Sequence, residues 1–202
     1  MEQLETEIKF YLADLSSIRQ RILEQGAHSQ GRSFESNIRF EDEHRTLIKQ
    51  KSLLRLRQDH KVRLTYKSTP PEADGQFKIL KELEVEVSDF DTMHHILDAL
   101  GFHQEQVYEK WRETLVLDRT HFCLDRMPFG NFLEIEGPKQ DIQKFTVRLD
   151  LAWNQRILLN YLEIFEFLKN KLHLKFSDVT FDNFIHIEVN LADWLDLLVA
   201  GK

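Results

Sequence analysis

Carboxylates and basic side chains recur in this sequence at a spacing of two. Glu5, Glu7 and Lys9 form the first such group. Arg55 and Arg57 follow, then Arg63, Thr65 and Lys67; Glu82, Glu84 and Glu86; Lys110 and Arg112; and Glu134 and Glu136. On an extended chain, residues two apart stand on one face. Neighbouring carboxylates supply the hard oxygen ligands that Mg2+ or Mn2+ prefers, and arginine forks match the oxygens of phosphate. Gathered together, such groups would serve metal-dependent chemistry on a polyphosphate. An ordinary half-buried strand turns its charges to water, and each strand alone can be read that way. The opposite faces are read as carrying Ile8, Phe10, Leu54, Leu56, Leu64, Tyr66, Leu83, Val85, Trp111, Phe132 and Ile135. That apolar side needs a cover, and amphipathic helices are available to provide it. With helices outside, the charges turn inward, where like charges are tolerable only with opposite charges among them. On these residues alone, the solvated face and the inward cage both stay open.

The elements that must position these groups follow from periodicity. Alternation marks strands at 4–10, 36–40, 53–57, 61–67, 78–87, 107–118, 120–125 and 131–137, with Gln58-Asp59-His60 short enough to turn a hairpin. A helical pattern runs from Asp14 through Leu15, Ile18, Ile22 and Leu23 to Gly26. Another follows Asp89 or Asp91 through Leu97 and Leu100 to Gly101, and two more cover about 140–151 and 157–172. Residues 68–75 read as a loop, Met127-Pro128-Phe129-Gly130 as a turn, and Leu191 to Val199 as a final amphipathic stretch. This order does not alternate as a parallel α/β fold would, so an α+β fold with an antiparallel sheet is expected. About eight strands suffice to close a small barrel.

At 202 residues the chain has room for one substantial domain, and no internal boundary stands out. A formal net charge of −7 argues against a general nucleic-acid binder. Yet between Lys49 and Lys67 the basic residues number seven and Asp59 is the only acid, which points to a local anionic ligand. Cys123 is the single cysteine, so no intrachain disulfide forms, and it reads as a small apolar strand residue. No apolar run reaches the ~18 residues of a spanning helix, and the start of the chain lacks the pattern of a signal peptide. The cytoplasm is the expected compartment, with no membrane partner. The pair His94-His95, the residues His186 and Glu188, and the aromatics Phe165, Phe167, Phe176, Phe181 and Phe184 read as structural rather than as sites.

The same charged residues carry a resemblance. Leu4-Glu-Thr-Glu-Ile-Lys9 is similar to the Glu-x-Glu-x-Lys signature of the CYTH superfamily, the triphosphate tunnel metalloenzymes. In order come Leu54-Arg-Leu-Arg57, Leu64-Thr-Tyr-Lys67, Glu82-Leu-Glu84, Lys110-Trp-Arg112, Leu124-Asp125 and Gly130-Asn-Phe-Leu-Glu-Ile-Glu136. The sequence most resembles the bacterial members labelled class IV adenylyl cyclase, whose relatives include thiamine-triphosphatase and inorganic triphosphatases. The resemblance implies a closed eight-stranded antiparallel barrel with helices packed outside, in one domain over 1–202. Its core would span about 1–172, and 173–202 would close it. It further implies Mg2+ or Mn2+ held by Glu5, Glu7, Glu134 and Glu136, with Glu84 and Asp125 as additional acidic members. Lys9, Arg55, Arg57, Lys67, Lys110 and Arg112 would bind phosphates, and Tyr161 matches a further position near the end of the core. Among these, Glu5, Glu7, Lys9, Arg57, Glu134 and Glu136 are the expected catalytic set. One departure concerns Leu80, where many relatives carry a basic residue; Lys78 is the nearby basic residue in phase with Glu82.

The implied chemistry is phosphoryl or nucleotidyl transfer without a protein nucleophile. Hydrolysis of a triphosphate (tripolyphosphate, a nucleoside triphosphate or thiamine triphosphate) is the expected reaction, because no nucleotide-reading motif is evident. The alternative is adenylyl cyclase, converting ATP to cyclic AMP and pyrophosphate; another is a binding module without turnover. A blander reading makes the protein a homodimer scaffold, using the stripe Leu191, Trp194, Leu195 and Leu198, although such stripes are more often core.

Overall fold

The computed structural model describes residues 3–71 and 74–200. Met1, Glu2, Gly201 and Lys202, at the ends of the expected domain, and Glu72 and Ala73 of the expected loop lie outside them. Eight strands occupy Gln3–Leu12 (β1), His28–Asp42 (β2), Ser52–Gln58 (β3), Val62–Ser68 (β4), Lys78–Val87 (β5), Phe102–Leu117 (β6), Thr120–Met127 (β7) and Gly130–Glu136 (β8). Around the ring they run β1-β5-β4-β3-β2-β6-β7-β8, and β8 returns to β1, so the sheet closes. Every neighbouring pair is antiparallel. Closure leaves each strand two partners and turns one face of every strand into a shared interior.

Helices occupy Leu15–Glu24 (α1), Thr46–Lys49 (α2), Phe90–Ala99 (α3), Lys139–Arg148 (α4), Tyr161–Leu172 (α5) and Leu195–Leu198 (α6). The Asp14 carboxylate accepts from the backbone N–H groups of Ser16 and Ser17, which caps α1. Asp89, rather than Asp91, does the same for α3 through the Thr92 N–H. Gly26 and Gly101 take positive φ just past these helices, where other residues would be strained. The helix expected from about 140 begins at Lys139, whereas the one expected from 157 begins at Tyr161. Ile157 is extended, exchanging backbone hydrogen bonds with Lys9 at 3.2 and 2.7 Å.

The outward faces of β1, β7 and β8 bury Ile8, Phe10, Phe122, Leu124, Leu133 and Ile135 beneath α1 and α4, against Ile18, Ile22, Ile142 and Phe145. Phe40 and Leu56 on β2 and β3 pack with Leu97 of α3. The cover is incomplete: Leu83 and Val85 on β5 are 51% and 55% exposed, so that outer face meets water rather than a helix. Phe132 also departs from expectation. It shares the parity of Glu134 and Glu136, and it packs against Phe129 and Tyr161 in a cluster that includes Tyr108 and Ile157. The stripe Leu191, Trp194, Leu195 and Leu198 joins this same cluster and is intrachain core. No helix among the described residues is long and apolar enough to cross a membrane.

Candidate active site

The inward faces line a cavity of about 1450 Å3, among whose walls are Glu5, Glu7, Lys9, Arg55, Arg57 and Lys67. Strand register brings the acids together. Glu7 on β1 stands opposite Glu136 on β8 and Lys78 on β5, and Lys9 stands opposite Glu134. Carboxylate oxygens of Glu5, Glu7 and Glu136 all lie within 4.8 Å of one another. Burial pushes the Glu136 carboxyl up to about 8; Arg112 opposes that rise, while Glu5, Glu7 and Glu134 add to it. Three hard oxygen donors this close together fit a divalent cation.

The other expected acidic residues have different neighbours. Glu134 lies 2.7 Å from Lys9 Nζ and also accepts from Arg112. Asp125 is fully buried and accepts from three donors: Lys110 at 3.1 Å, Arg112 through two nitrogens at 2.6 and 2.5 Å, and the Tyr161 hydroxyl at 2.7 Å. Glu84 accepts from Thr65 Oγ1 at 2.8 Å and faces Arg57 at 3.5 Å and Arg55 at 3.8 Å. These three carboxylates lie outside the mutual cluster of Glu5, Glu7 and Glu136, although Arg112 contacts both Glu134 and Glu136.

The expected phosphate binders all turn inward. Lys9 is 1% exposed, with its ammonium 4.3 Å from the Tyr161 ring centre. Arg55 donates to Tyr108 Oη at 3.3 Å and to Thr65 Oγ1 at 3.2 Å. Arg57 has only distant carboxylates, Glu84 at 3.5 Å and Glu35 and Asp59 at 3.8 Å, and its buried Nε has no hydrogen-bond partner. Lys67 contacts Glu5 at 2.5 Å and Glu82 at 3.1 Å. Tyr161 is the first residue of α5, whose start is fixed by reciprocal bonds between Asn160 and Glu163. Leu80 lines the cavity and contributes no charge, whereas Lys78 enters it and lies 2.7 Å from Glu7.

Sequence reading missed Glu35 on β2. Its carboxylate lies 3.5 Å from Lys110 and 3.8 Å from Arg57, and it is almost wholly buried. Burial alone would raise its pKa, yet Lys110, Arg112, Arg57 and Arg55 pull it down to about 2. A signal was present: Glu35, Asn37, Arg39 and Glu41 alternate with Phe34, Ser36, Ile38 and Phe40. Cys123 is buried on β7, its thiol donating to Glu136 at 3.6 Å. Burial pushes that thiol's pKa well up, against the pull of Arg112.

Comparison with known proteins agrees with this architecture. Residues 3–163 match the model of the CYTH domain. No curated protein matches significantly. Among solved structures, a Vibrio parahaemolyticus protein provisionally assigned as an adenylate cyclase superposes with a TM-score of 0.72 at 20% identity, covering 82% of this chain and 99% of that one. A Pyrococcus horikoshii protein gives 0.67 at 27% identity, covering 79% and 98%. A Hippeastrum protein, provisionally an adenylyl cyclase and described as having a dominant triphosphatase activity, gives 0.55 at 18% identity, covering 80% and 95%.

Proposed function

The chain belongs to the CYTH domain family, and from that premise we propose that it hydrolyses a triphosphate inside the barrel with the help of Mg2+ or Mn2+. One observation carries this reading: a cluster of three carboxylates shares the barrel's cavity with arginines and lysines from several strands. Glu5, Glu7 and Glu136 would hold the cation. Once bound, it supplies Lewis-acid polarisation of phosphate oxygens and orients the attacking oxygen.

The chain's own groups do the remaining work. Lys9, Arg55, Arg57, Lys67, Lys110 and Arg112 bind phosphate oxygens and stabilise the charge that gathers on them as the bridging P–O bond breaks. Water attacks the terminal phosphorus, so no side chain forms a covalent intermediate. Asp125, held by three donors, positions Lys110, Arg112 and Tyr161 rather than binding metal. Glu84 and Glu134 play the same part for Arg57 and Lys9. Such fixed charges suit a transition state because they need little rearrangement when it forms.

A second reading is adenylyl cyclase, in which the ribose 3′ hydroxyl attacks the α-phosphorus and pyrophosphate leaves. The cavity favours keeping it, because its lining continues past the charged cage to Arg39, Arg45, Gln106 and Lys169 and offers room for a nucleoside. The deciding experiment supplies tripolyphosphate, thiamine triphosphate and ATP with Mg2+ or Mn2+, and assays phosphate, pyrophosphate and cyclic AMP. Phosphate release supports the hydrolase, and cyclic AMP with pyrophosphate moves the assignment to the cyclase. Binding without any product would leave a non-catalytic module.

A further inference from the structure

Two lysines of the cavity wall occupy carboxylates that a cation would need. Lys67 Nζ lies 2.5 Å from Glu5 Oε2, and Lys78 Nζ lies 2.7 Å from Glu7 Oε1. The register makes the second contact systematic: Glu7 pairs with Lys78 on one side and with Glu136 on the other. Both lysine side chains are mostly withdrawn from solvent, at 14% and 19% exposed. Leu80, next on the same face of β5, brings no charge.

A divalent cation binds carboxylate oxygens at roughly 2.0–2.6 Å, depending on the metal. An ammonium already hydrogen-bonded to Glu7 would then meet a doubly charged neighbour at close range, in a medium that screens poorly. One of the two must withdraw. Lysine is suited to do so, because its compact charge rides on a flexible four-carbon stem, unlike the planar fork of arginine. For Lys78 the nearby carboxylate of Glu134 offers no free place, being held by Lys9 and Arg112, whereas Lys67 keeps Glu82 at 3.1 Å as a second contact. A phosphate oxygen of the bound substrate is then the acceptor for Lys78, and Lys67 can reach one while resting on Glu82.

We propose that Lys67 and Lys78 are exchangeable partners, which hold Glu5 and Glu7 until a divalent cation takes those carboxylates and then turn to the triphosphate. Lys78 thereby becomes a substrate-binding residue that also sets the affinity for metal. The inference rests on the reading that this cavity takes a triphosphate, and it makes a distinctive demand: one substitution must move two ligands in opposite directions.

The test is calorimetry on the full chain, with Mn2+ alone and, separately, with tripolyphosphate in its hydrolysis-resistant imido-bridged form at saturating Mn2+. Lys78→Met is expected to bind Mn2+ about tenfold more tightly and tripolyphosphate about tenfold more weakly, the scale of one charge contact in a partly screened site. Unchanged tripolyphosphate affinity would mean that the lysine stays on Glu7, and weaker Mn2+ binding would mean that it only props that carboxylate; either overturns the proposal. Failure of the wild-type protein to bind tripolyphosphate would instead overturn the parent reading. Lys78→Gln, checked by thermal melting, repeats the comparison with a polar side chain. If neither variant folds, NMR of the wild-type lysine ammonium groups decides. The Lys78 resonance must shift when Mg2+ is added, and an unmoved signal ends the proposal.

Discussion

Arg57 and Arg112 show how two arginines in one cavity can differ in purpose. Arg112 is bound through two nitrogens to Asp125, whereas Arg57 has only carboxylates at 3.5–3.8 Å and an Nε with no hydrogen-bond partner. The loosely held guanidinium is the freer of the two to close on phosphate. Arg57→Ala is therefore expected to lower kcat by at least ~100-fold, and Glu7→Gln by a similar factor, as for other groups that stabilise charge in the transition state. Steady-state rates on the best triphosphate check this, and near-normal values in both would remove these side chains from the chemistry. Glu35 acts differently, as counter-charge to the basic wall. Its pKa falls from 4.5 to about 2 on folding. Its contribution to stability is therefore fully present above pH 4.5 and is lost as pH falls toward 2. Up to about 3 kcal/mol is involved. Glu35→Gln should weaken the fold in urea at pH 7, and its deficit against wild type should narrow as the pH is lowered from 4.5. A deficit of equal size at pH 7 and pH 2 would show that packing, not charge, is the cause.

At the level of elements, legibility in the sequence followed the strength of alternation. β1, β3, β4, β5 and β8 alternate polar and apolar residues over most of their length, and their spans, like that of β7, agree with periodicity to within a few residues. The beginnings of β2 and β6 do not. His28-Ser-Gln-Gly-Arg-Ser33 is polar throughout, and it is extended because it pairs with β6 across a register irregularity between Ser29 and Arg32. Pairing of that kind is decided by a strand some eighty residues away, and local pattern cannot report it. That is also why Glu35 escaped notice: the inner face of β2 was never counted as a face. Phe132 was misread for a simpler reason, since parity with Glu134 turns it inward, where it packs beside Tyr161. The element that delivers Tyr161 is α5, whose first turn depends on the Asn160 cap. Asn160→Ala should cost about 1 kcal/mol, the usual value for such a cap, read as a lower denaturation midpoint with an unchanged m-value. No change in midpoint would mean that packing of Ile164, Phe165 and Leu168 fixes the helix start by itself.

For the whole molecule, closure of the ring joins β1 to β8, two strands more than a hundred residues apart, and only the resemblance pointed to that contact in advance. The part least legible is the segment beyond α5, which also lies past the matched domain at 3–163. Its work is physical. Val179 exchanges backbone hydrogen bonds with Val107 and Glu109 at 2.8 and 2.9 Å, occupying an edge of β6 just before β7 takes over at Trp111. Phe184, Leu191 and Leu198 are buried in the same cluster as Phe132 and Tyr161. Burying one such side chain contributes roughly 1.5–3 kcal/mol, so these three and Val179 together reach about 6–12 kcal/mol before the cost of ordering the segment. A whole domain has only about 5–15 kcal/mol to lose. A chain ending at Leu172 is therefore expected to forfeit its cooperative thermal transition and to bind a hydrophobic dye, with β6 left open at Val107 and Tyr161 losing its neighbours. A truncated chain that melts at the wild-type temperature would make the segment an accessory, and would assign the closing of the barrel to α5 and Phe132 alone.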